Sequence, residues 1–314
     1  MDLYLDSNKF YNNEAINGGA IYFSERKITE ESNNSAIITI KNNNFYENKA
    51  NEFGGAIYSK YNQLYMASAQ NNNITNNKSG IMGAGIYSPN YVNKNLFDIS
   101  NCHFENNLVN SFKDNYSSEP AYITLNTTIN NENIINVGDY FPLNFYLYDE
   151  FNNIFNDITK HYSLMSLRLI LKTNDNNENL SNNRNSVNNY YLTGNVGSFI
   201  NGKCELNNIK IYANPNTYYL EPVIENYNGK IKFLFDNIKI KIDECYSDKI
   251  KMIDRHGIQY CESPKCHDNC PVGISANCIP YTTELINNKT LNKCECFDGW
   301  DGNNCDSKIF VNFE

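Results

Sequence analysis

The first 125 residues repeat one short pattern four times, and this repetition limits the folds that are open to the chain. A Phe-x-x-Asn unit begins at Phe10 and at Phe45, and weaker copies begin at Ile74 and Phe104. The steps from one unit to the next are 35, 29 and 30 residues. A roughly fixed period of this size is typical of stacked structural repeats that bury one continuous core.

A small-residue turn that leads into a strand follows each unit. Residues 18–22 and 54–58 both read Gly-Gly-Ala-Ile-Tyr, residues 83–87 form a third copy, and residues 119–123 are interpreted as a decayed fourth. Short apolar runs such as residues 36–40, bounded by Asn clusters and without a helical period, indicate strands. The sequence therefore predicts stacked β-coils, with equivalent strands about 4.8 Å apart.

Each repeated residue type has a structural role in such a stack. Phe side chains fill the interior, and Asn amides can hydrogen-bond up and down the stack as a ladder. The Gly pair supplies a turn conformation or a close backbone approach that a Cβ atom would obstruct. Residues 25–34 and 108–118 differ in length between repeats, so we predict that they are loops outside the coil.

The Gly-Gly-Ala-Ile and Phe-x-x-Asn signatures resemble those of the polymorphic outer-membrane protein repeat, which is found in large surface adhesins. The resemblance covers residues 1–125. It implies a right-handed parallel β-helix with a pectin-lyase-like fold, carried on a cell surface.

Residues 126–244 follow a different pattern, with longer alternating strands at hairpin spacing and no helical segment. This pattern predicts an antiparallel β-sandwich. The turn at residues 149–153 and the run Pro215-x-Thr217-Tyr218-x-Leu220 resemble strand motifs of bacterial and filamin-type immunoglobulin-like domains. The resemblance implies an immunoglobulin-like fold for this segment.

The ten cysteines are distributed very unevenly, since eight of them lie between Cys245 and Cys305. Such clustering indicates an oxidising, extracellular compartment. Cys102 and Cys204 stand alone in different predicted domains. We therefore expect them to be separate buried thiols rather than partners.

Residues 294–305, which read Cys-Glu-Cys-Phe-Asp-Gly-Trp-Asp-Gly-Asn-Asn-Cys, resemble the closing signature of an epidermal-growth-factor-like module. The module would occupy residues 266–306, between a neck at 245–265 and a tail at 307–314. The pairing found in that family implies the disulfides Cys266–Cys278, Cys270–Cys294 and Cys296–Cys305. Cys245 and Cys261 are then left as a fourth bridge in the neck.

Two metal sites compete with this interpretation. Calcium-binding versions of the module carry acidic and amide ligands before the first cysteine, and residues 262–265 do not match that pattern. A zinc site formed by Cys266, His267 and Cys270 is the other alternative, but the spacing of the later cysteines favours disulfides. The sequence therefore predicts no metal and no other cofactor.

The net charge of −9 and the lack of a basic stripe argue against nucleic-acid binding. N-glycosylation sequons agree with an extracellular location. Six of them are candidate sites: Asn33, Asn73, Asn115, Asn126, Asn179 and Asn288. A seventh, Asn77, is also a proposed ladder residue, and we expect it to be unmodified.

The chain shows neither a signal peptide nor an apolar stretch long enough to span a membrane. Because it opens directly in a repeat, we expect it to be a piece of a longer protein with more coils upstream. A membrane anchor beyond Glu314 is left open.

Some parallel β-helices are pectate lyases or polygalacturonases, which need acidic side chains stacked on one face. Here Glu47 and Glu105 are assigned to equivalent repeat positions, but Thr75 and Asn12 occupy that position in the other coils. No continuous acidic column is expected, and the four histidines suggest no catalytic arrangement. We therefore predict that the chain is not an enzyme.

Tyr22, Tyr58 and Tyr87 recur at one position of the repeat. Neighbouring residues of a strand point to opposite faces, so interior isoleucines would leave these tyrosines as an external column. Such a column suits a sugar ring or a protein patch and is the predicted ligand face. The alternative is that the column packs under a loop or a neighbouring domain.

Together these features predict an extracellular cell-surface protein of several modules that acts by binding, adhesion or display. Its partner would be a surface protein or a glycan, and no feature makes a strong case for a homo-oligomer. Two alternatives stay open. One is the ectodomain of a membrane receptor, and the other is a carbohydrate-active β-helix enzyme, such as a polysaccharide lyase or hydrolase, or its degenerate relative.

Overall fold

The computed structural model describes residues 3–24, 38–60, 68–89, 99–130, 133–173, 190–283 and 285–309. Within these ranges the chain is all-β, and none of the described residues lies in an α-helix. We divide it into a coil unit (residues 3–118), a two-sheet unit (120–242) and a disulfide unit (245–309). The predicted loop at 25–34 and the candidate sites Asn33 and Asn179 lie outside the described residues.

The coil unit consists of four turns of the chain. Turn one contains β1 (Leu3–Asp6), β2 (Lys9–Tyr11), β3 (Glu14–Ala15) and β4 (Ile21–Phe23). Turn two contains β5 (Ile38–Lys41), β6 (Asn44–Tyr46), β7 (Lys49–Ala50) and β8 (Ile57–Ser59). Turn three contains β9 (Ser68–Gln70), β10 (Asn73–Thr75), β11 (Lys78–Ser79) and β12 (Ile86–Ser88). Turn four contains β13 (His103–Glu105), β14 (Leu108–Val109), β15 (Phe112–Lys113) and β16 (Tyr116–Ser118).

Equivalent strands of successive turns lie side by side and run parallel. The four sheets have the orders β1-β5-β9, β2-β6-β10-β13, β3-β7-β11-β14 and β4-β8-β12-β16, and β15 pairs antiparallel with β14 at the end of the third. In the second sheet, Phe10 lies beside Phe45, Phe45 beside Ile74, and Ile74 beside Phe104. The repeated apolar position therefore forms one column.

This column lies inside the coil and forms its core. The rings of Phe10 and Phe45 stack with centroids 4.7 Å apart and planes 5° from parallel, close to the spacing of neighbouring strands. Phe45 and Ile74 are fully buried, and Ile57 and Ile86 pack in the same cluster. The expectation that the repeated Phe and Ile positions fill one interior is confirmed.

Asparagine ladders join the turns beside this core. The Oδ1 atom of Asn48 accepts from the backbone N–H and Nδ2 of Asn13, at 3.1 and 2.8 Å. Asn48 donates in the same way to Asn77, and Asn77 donates to Asn107. A second ladder runs through Asn8, Asn43 and Asn72. Each buried amide therefore has partners in the neighbouring turn, which removes the cost of burying it.

The two glycines of each pair have different tasks. Gly18 and Gly54 have φ angles of 63° and 69°, in the left-handed region that favours glycine. Gly19 and Gly55 instead allow close contact, because a Cβ atom on either would lie 2.2 Å from a carbonyl oxygen of the next turn. The repeat therefore uses both roles that were expected of the Gly pair.

The fourth turn differs from the prediction. Residues 108–118 are not a loop outside the coil, since they form β14, β15 and β16. The strand beside Ile86 begins at Tyr116, and Pro120–Leu125 forms β17, which pairs antiparallel with the two-sheet unit. The interpretation of 119–123 as a fourth repeat strand was wrong. The predicted boundary at residue 125 therefore falls after a strand that already belongs to the next unit.

The two-sheet unit continues with strands whose inward-facing residues share one core. These strands are β17, β18 (Asn133–Ile135), β19 (Leu143–Asp149), β20 (Ser166–Thr173), β21 (Tyr190–Thr193), β22 (Val196–Ser198), β23 (Lys203–Leu206), β24 (Lys210–Ala213), β25 (Asn216–Glu225), β26 (Lys232–Phe233) and β27 (Ile238–Ile242). Side chains along β19 alternate between buried and partly exposed, as the period of a half-buried strand requires.

The sheets of this unit have the orders β23-β19-β17-β26 and β18-β27-β25-β20-β22, and β21 pairs with β24. Most neighbours are antiparallel, but β17 runs parallel to β26 and β18 runs parallel to β27. The unit therefore departs from the predicted antiparallel arrangement at these two pairs. Leu147 and Leu169, from different sheets, belong to one buried cluster.

The disulfide unit contains three short antiparallel pairs. Its strands are β28 (Ile250–Ile253), β29 (Gln259–Glu262), β30 (Ala276–Ile279), β31 (Lys293–Cys296), β32 (Trp300–Asp301) and β33 (Ser307–Lys308). Its bonds are Cys245–Cys261, Cys266–Cys278, Cys270–Cys294 and Cys296–Cys305, which are the four predicted pairs. The buried cluster of this unit consists of Cys266, Cys270, Ala276 and Cys305. Cysteines therefore supply most of this cluster.

Candidate functional site

The predicted tyrosine face is mostly buried. The three rings stack in a column, with centroids 5.1 Å apart between Tyr22 and Tyr58 and 5.7 Å apart between Tyr58 and Tyr87. Tyr22 is 48% exposed, but Tyr58 is only 5% and Tyr87 only 2% exposed. Both buried rings belong to the core cluster of the two-sheet unit, and the Tyr87 hydroxyl lies 3.3 Å from that of Tyr162.

The assignment of this column as a ligand face was therefore wrong for Tyr58 and Tyr87. The physical reason is the chain path. One residue, Glu119, separates β16 of the coil from β17 of the two-sheet unit, so the second unit begins beside the tyrosine-bearing sheet. Covering a large aromatic ring with a neighbouring unit removes its apolar surface from water and stabilises the folded state. The column joins the two units instead of binding a ligand.

Buried carboxyl groups also lie at this junction, next to a cavity of about 260 Å³ lined by residues of both units. Asp114 accepts from the N–H of Gly83 at 2.7 Å and from the Ser117 hydroxyl. Asp149 accepts from the N–H and Nδ2 of Asn153, at 2.8 and 3.2 Å. Burial raises the pKa of both carboxyls, that of Asp149 to about 6. Because these donors occupy their oxygens, the two groups hold turns in place.

A different face of the coil is open. Asn12, Glu47, Asn76 and Asn106 occupy one turn position in the four turns, with φ angles between 52° and 56°. This left-handed conformation disfavours most side chains, and Asn tolerates it best. Stacking the four turns produces a groove of about 560 Å³ that runs across the coil. We call it the turn groove, and its lining residues are Asn12, Asn13, Glu14, Glu47, Asn48, Lys49, Asn76, Lys78, Asn106 and Leu108.

Three of the four charged side chains that line the turn groove, Glu14, Glu47 and Lys49, have partners. The Nζ of Lys49 lies 2.5 Å from a carboxylate oxygen of Glu14. The Glu47 carboxylate interacts with the hydroxyls of Tyr11 and Tyr46 and raises the pKa of both phenols, chiefly by hydrogen bonding. The two tyrosine rings stack 5.5 Å apart and 7° from parallel, so each covers a face of the other. The groove therefore offers amide, carboxylate and ammonium groups.

The structure corrects the predicted equivalence of Glu47 and Glu105. Glu105 lies beside Thr75 in the second sheet, and Thr75 lies beside Tyr46, whereas Glu47 occupies the turn that follows. The two carboxylates therefore belong to different columns. Glu105 pairs instead with His103, whose Nε2 is 3.4 Å away, on the exposed outer face. The expectation that no continuous acidic column forms agrees with this register.

The structure also shows the state of the cysteines that the sequence singled out. Cys266 and Cys270 are disulfide-bonded, so the zinc alternative is wrong, and no cluster of three metal-ligating side chains occurs in the described ranges. Cys204 is a fully buried thiol, and burial raises its pKa to about 12. Cys102 is half-buried, and its sulfur accepts from Nδ2 of Asn72 at 3.7 Å, which ends the second ladder.

The sequence contains a signal for the turn groove at a position that the Phe-x-x-Asn motif leaves open. The residue before each ladder Asn is Asn12, Glu47, Asn76 or Asn106. A repeated residue that tolerates a left-handed turn indicates a stacked turn, and stacked turns create a surface as regular as the core.

No protein-family model, no curated protein and no solved structure matches this chain. The four disulfides indicate an oxidising environment. Over the ranges that the structure describes, no helix is long and apolar enough to cross a membrane. Function must therefore be inferred from the residues and geometry given above.

Proposed function

We propose that the chain is an extracellular, non-catalytic binding protein of the cell surface, and that it binds glycans in the turn groove. In this proposal the coil unit is a right-handed parallel β-helix of the polymorphic outer-membrane repeat type. The two-sheet unit is an immunoglobulin-like sandwich, and the disulfide unit is an epidermal-growth-factor-like module. The repeat register and the cysteine pairing support these assignments.

The observation that carries the proposal is the turn groove itself. It crosses four turns, so its length is about 15 Å at the ~4.8 Å spacing of neighbouring strands. A linear ligand with a regular series of hydroxyl groups fits such a surface, because an amide recurs at this position in three of the four turns and a carboxylate in the fourth. Asn and Glu side chains form paired hydrogen bonds with neighbouring hydroxyls, and a polar groove favours a glycan over an apolar protein patch.

The environment of the acids supports binding rather than catalysis. Glycoside cleavage by general acid and base needs two carboxyl groups that face the scissile bond. Here Glu14 is paired with Lys49, and Glu47 is engaged with two tyrosine hydroxyls. Each of these acids therefore already has a partner beside the groove.

Binding can be tested with variants that keep the backbone of the turn. Asn76→Gly combined with Asn106→Gly removes two groove amides, yet glycine retains the left-handed conformation. The matched control is Asn71→Gly, since Asn71 has a φ of 51° in another stacked turn that does not line the groove. Loss of two hydrogen bonds of about 0.5–1.5 kcal/mol each predicts roughly tenfold weaker binding.

The measurement is a glycan array, followed by titration of the strongest ligand against the wild type, the double variant and the control. Tight glycan binding that survives the double variant would exclude the groove. If the chain bound a surface protein that carries no glycan, the ligand would be a protein and the glycan proposal would be wrong. Release of reducing ends or unsaturated products from a bound polysaccharide would show that the chain is an enzyme.

A further inference from the structure

The described sequons differ sharply in their surroundings. Asn126 and Asn288 are exposed, and so are Thr128 and Thr290, the hydroxyl residues two positions later in each sequon. Asn126 follows β17, where its backbone N–H donates to the carbonyl oxygen of Asn144 at 2.8 Å. The backbone is therefore held while the side chain faces solvent.

The second exposed sequon has a defined turn geometry. The Oδ1 atom of Asn288 accepts from the N–H of Thr290 at 2.9 Å and from its hydroxyl at 2.8 Å. Within the described ranges, Nδ2 of Asn288 makes no hydrogen bond. This nitrogen is the atom that carries an N-linked sugar.

The sequons of the coil unit offer the opposite environment. Both amide hydrogens of Asn77 are used, since Nδ2 donates to the carbonyl oxygen of Phe45 at 3.1 Å and to Asn107 at 2.9 Å. Asn73 and Asn115 are half-buried, and Asn115 accepts from Asn107 at 3.2 Å. The hydroxyl residues of the three sequons, Thr75, Ser79 and Ser117, are all less than 10% exposed.

We propose that, among the described sequons, Asn126 and Asn288 carry N-linked oligosaccharides and Asn73, Asn77 and Asn115 do not. In the transfer, the sugar C1 leaves its lipid pyrophosphate donor and bonds to Nδ2, which loses one proton, and the lipid pyrophosphate departs. Transfer to Asn77 before folding would remove a ladder hydrogen and place a bulky group between turns. A chain modified there could not form the coil, so the secreted folded protein lacks that glycan.

The inference rests on the proposed extracellular location but not on the turn groove. The test uses the full chain, secreted from cultured eukaryotic cells behind an added leader peptide. An amidase that releases N-glycans in heavy-oxygen water converts each occupied Asn into labelled Asp, which peptide mass mapping locates. Label at Asn126 and Asn288, and none at Asn73, Asn77 or Asn115, is expected.

Two variants sharpen the result. Thr128→Ala and Thr290→Ala each leave the acceptor Asn in place and should abolish label at Asn126 and at Asn288 respectively. Label on any of the three coil sequons, or absence of label from either exposed one, in secreted protein with four disulfides would overturn the inference. Such a failure would leave the proposed function standing, because glycan binding is measured separately.

Discussion

The coil unit joins its strands through side chains that repeat from turn to turn, whereas the disulfide unit joins strands of similar length through covalent bonds. In the coil, Phe45 and Asn77 each contact equivalent residues above and below, so every added turn extends the same core and the same ladder. In the disulfide unit, three of the four residues of the buried cluster within 266–305 are cysteines. Stability is therefore distributed along one unit and concentrated in a few bonds in the other.

Reduction of the disulfides should produce the largest difference in stability between the two units. A disulfide typically contributes ~2–4 kcal/mol, which exceeds what a core this small supplies, so reduced residues 266–305 should unfold. The coil unit has no disulfide among its described residues and should stay folded. Hydrogen-exchange mass spectrometry with and without reductant measures both. If reduction lowered the protection of residues 38–60 as much as that of residues 266–305, the proposed difference between the two units would be wrong.

Phe45→Asp should damage the coil unit and leave the disulfide unit intact. It places a charge in the fully buried column, and we expect the free energy of unfolding to fall by ~3–5 kcal/mol or more. Phe10→Asp is the matched control, because Phe10 is only half-buried at the end of the same column and should cost less. Urea denaturation measures the two losses. Equal losses would mean that the column is not the core.

Asn77→Ala should have a smaller effect in the same unit. The change leaves the N–H and Nδ2 of Asn48 without their acceptor, and a buried donor left unpaired costs ~1–3 kcal/mol. Asn13→Ala is the control, since Asn13 is exposed and only donates to Asn48. Urea denaturation should give a lower free energy of unfolding for Asn77→Ala than for Asn13→Ala. The reverse order would exclude the ladder as a source of stability.

A pH-dependent effect of similar size is expected at the junction. Burial raises the pKa of Asp149 from 3.8 to about 6. The folded chain therefore binds this proton more tightly than the unfolded chain, so the unfolding free energy should rise as pH falls from about 6 towards ~4. This difference in pKa corresponds to a gain of ~2–3 kcal/mol. In the disulfide unit, the hydrogen bond from Lys289 lowers the pKa of Asp268, so the contribution of Asp268 to the unfolding free energy falls as pH falls.

Asp149→Asn isolates this contribution, because the raised pKa values of Asp114 and Glu119 act in the same direction and remain. The difference in unfolding free energy between wild type and variant should change with pH only below about 6. If the difference in unfolding free energy between wild type and variant stayed constant below pH 6, the pKa of Asp149 would not be raised in the folded chain.

Most of the coil could be predicted because its period converts local motifs into contacts: Phe-x-x-Asn fixes what lies inside and what forms the ladder. The four disulfides followed from a family pairing and the two cysteines that remained. The fourth turn could not be predicted, since Tyr116–Ser118 shares no motif residue with Ile86–Ser88 except Ser118, and only backbone pairing identifies it.

The tyrosine column failed for another reason. Strand alternation correctly put Tyr58 and Tyr87 on the outer face, but it carries no information about which unit covers that face. The turn groove does not stand out in the sequence because its residues, such as Asn76 and Asn106, lie in a chain that is rich in Asn throughout. Only the φ angles distinguish them as one stacked position.

Protection of the groove lysines by a bound glycan tests the central claim most directly. Mild acetylation followed by mass spectrometry reports the reactivity of each lysine with and without the glycan identified on the array. We expect Lys49 and Lys78, which line the groove, to lose reactivity, while Lys41, on the coil but outside the groove, keeps it. Saturating glycan that leaves Lys49 and Lys78 as reactive as before would contradict binding in the turn groove.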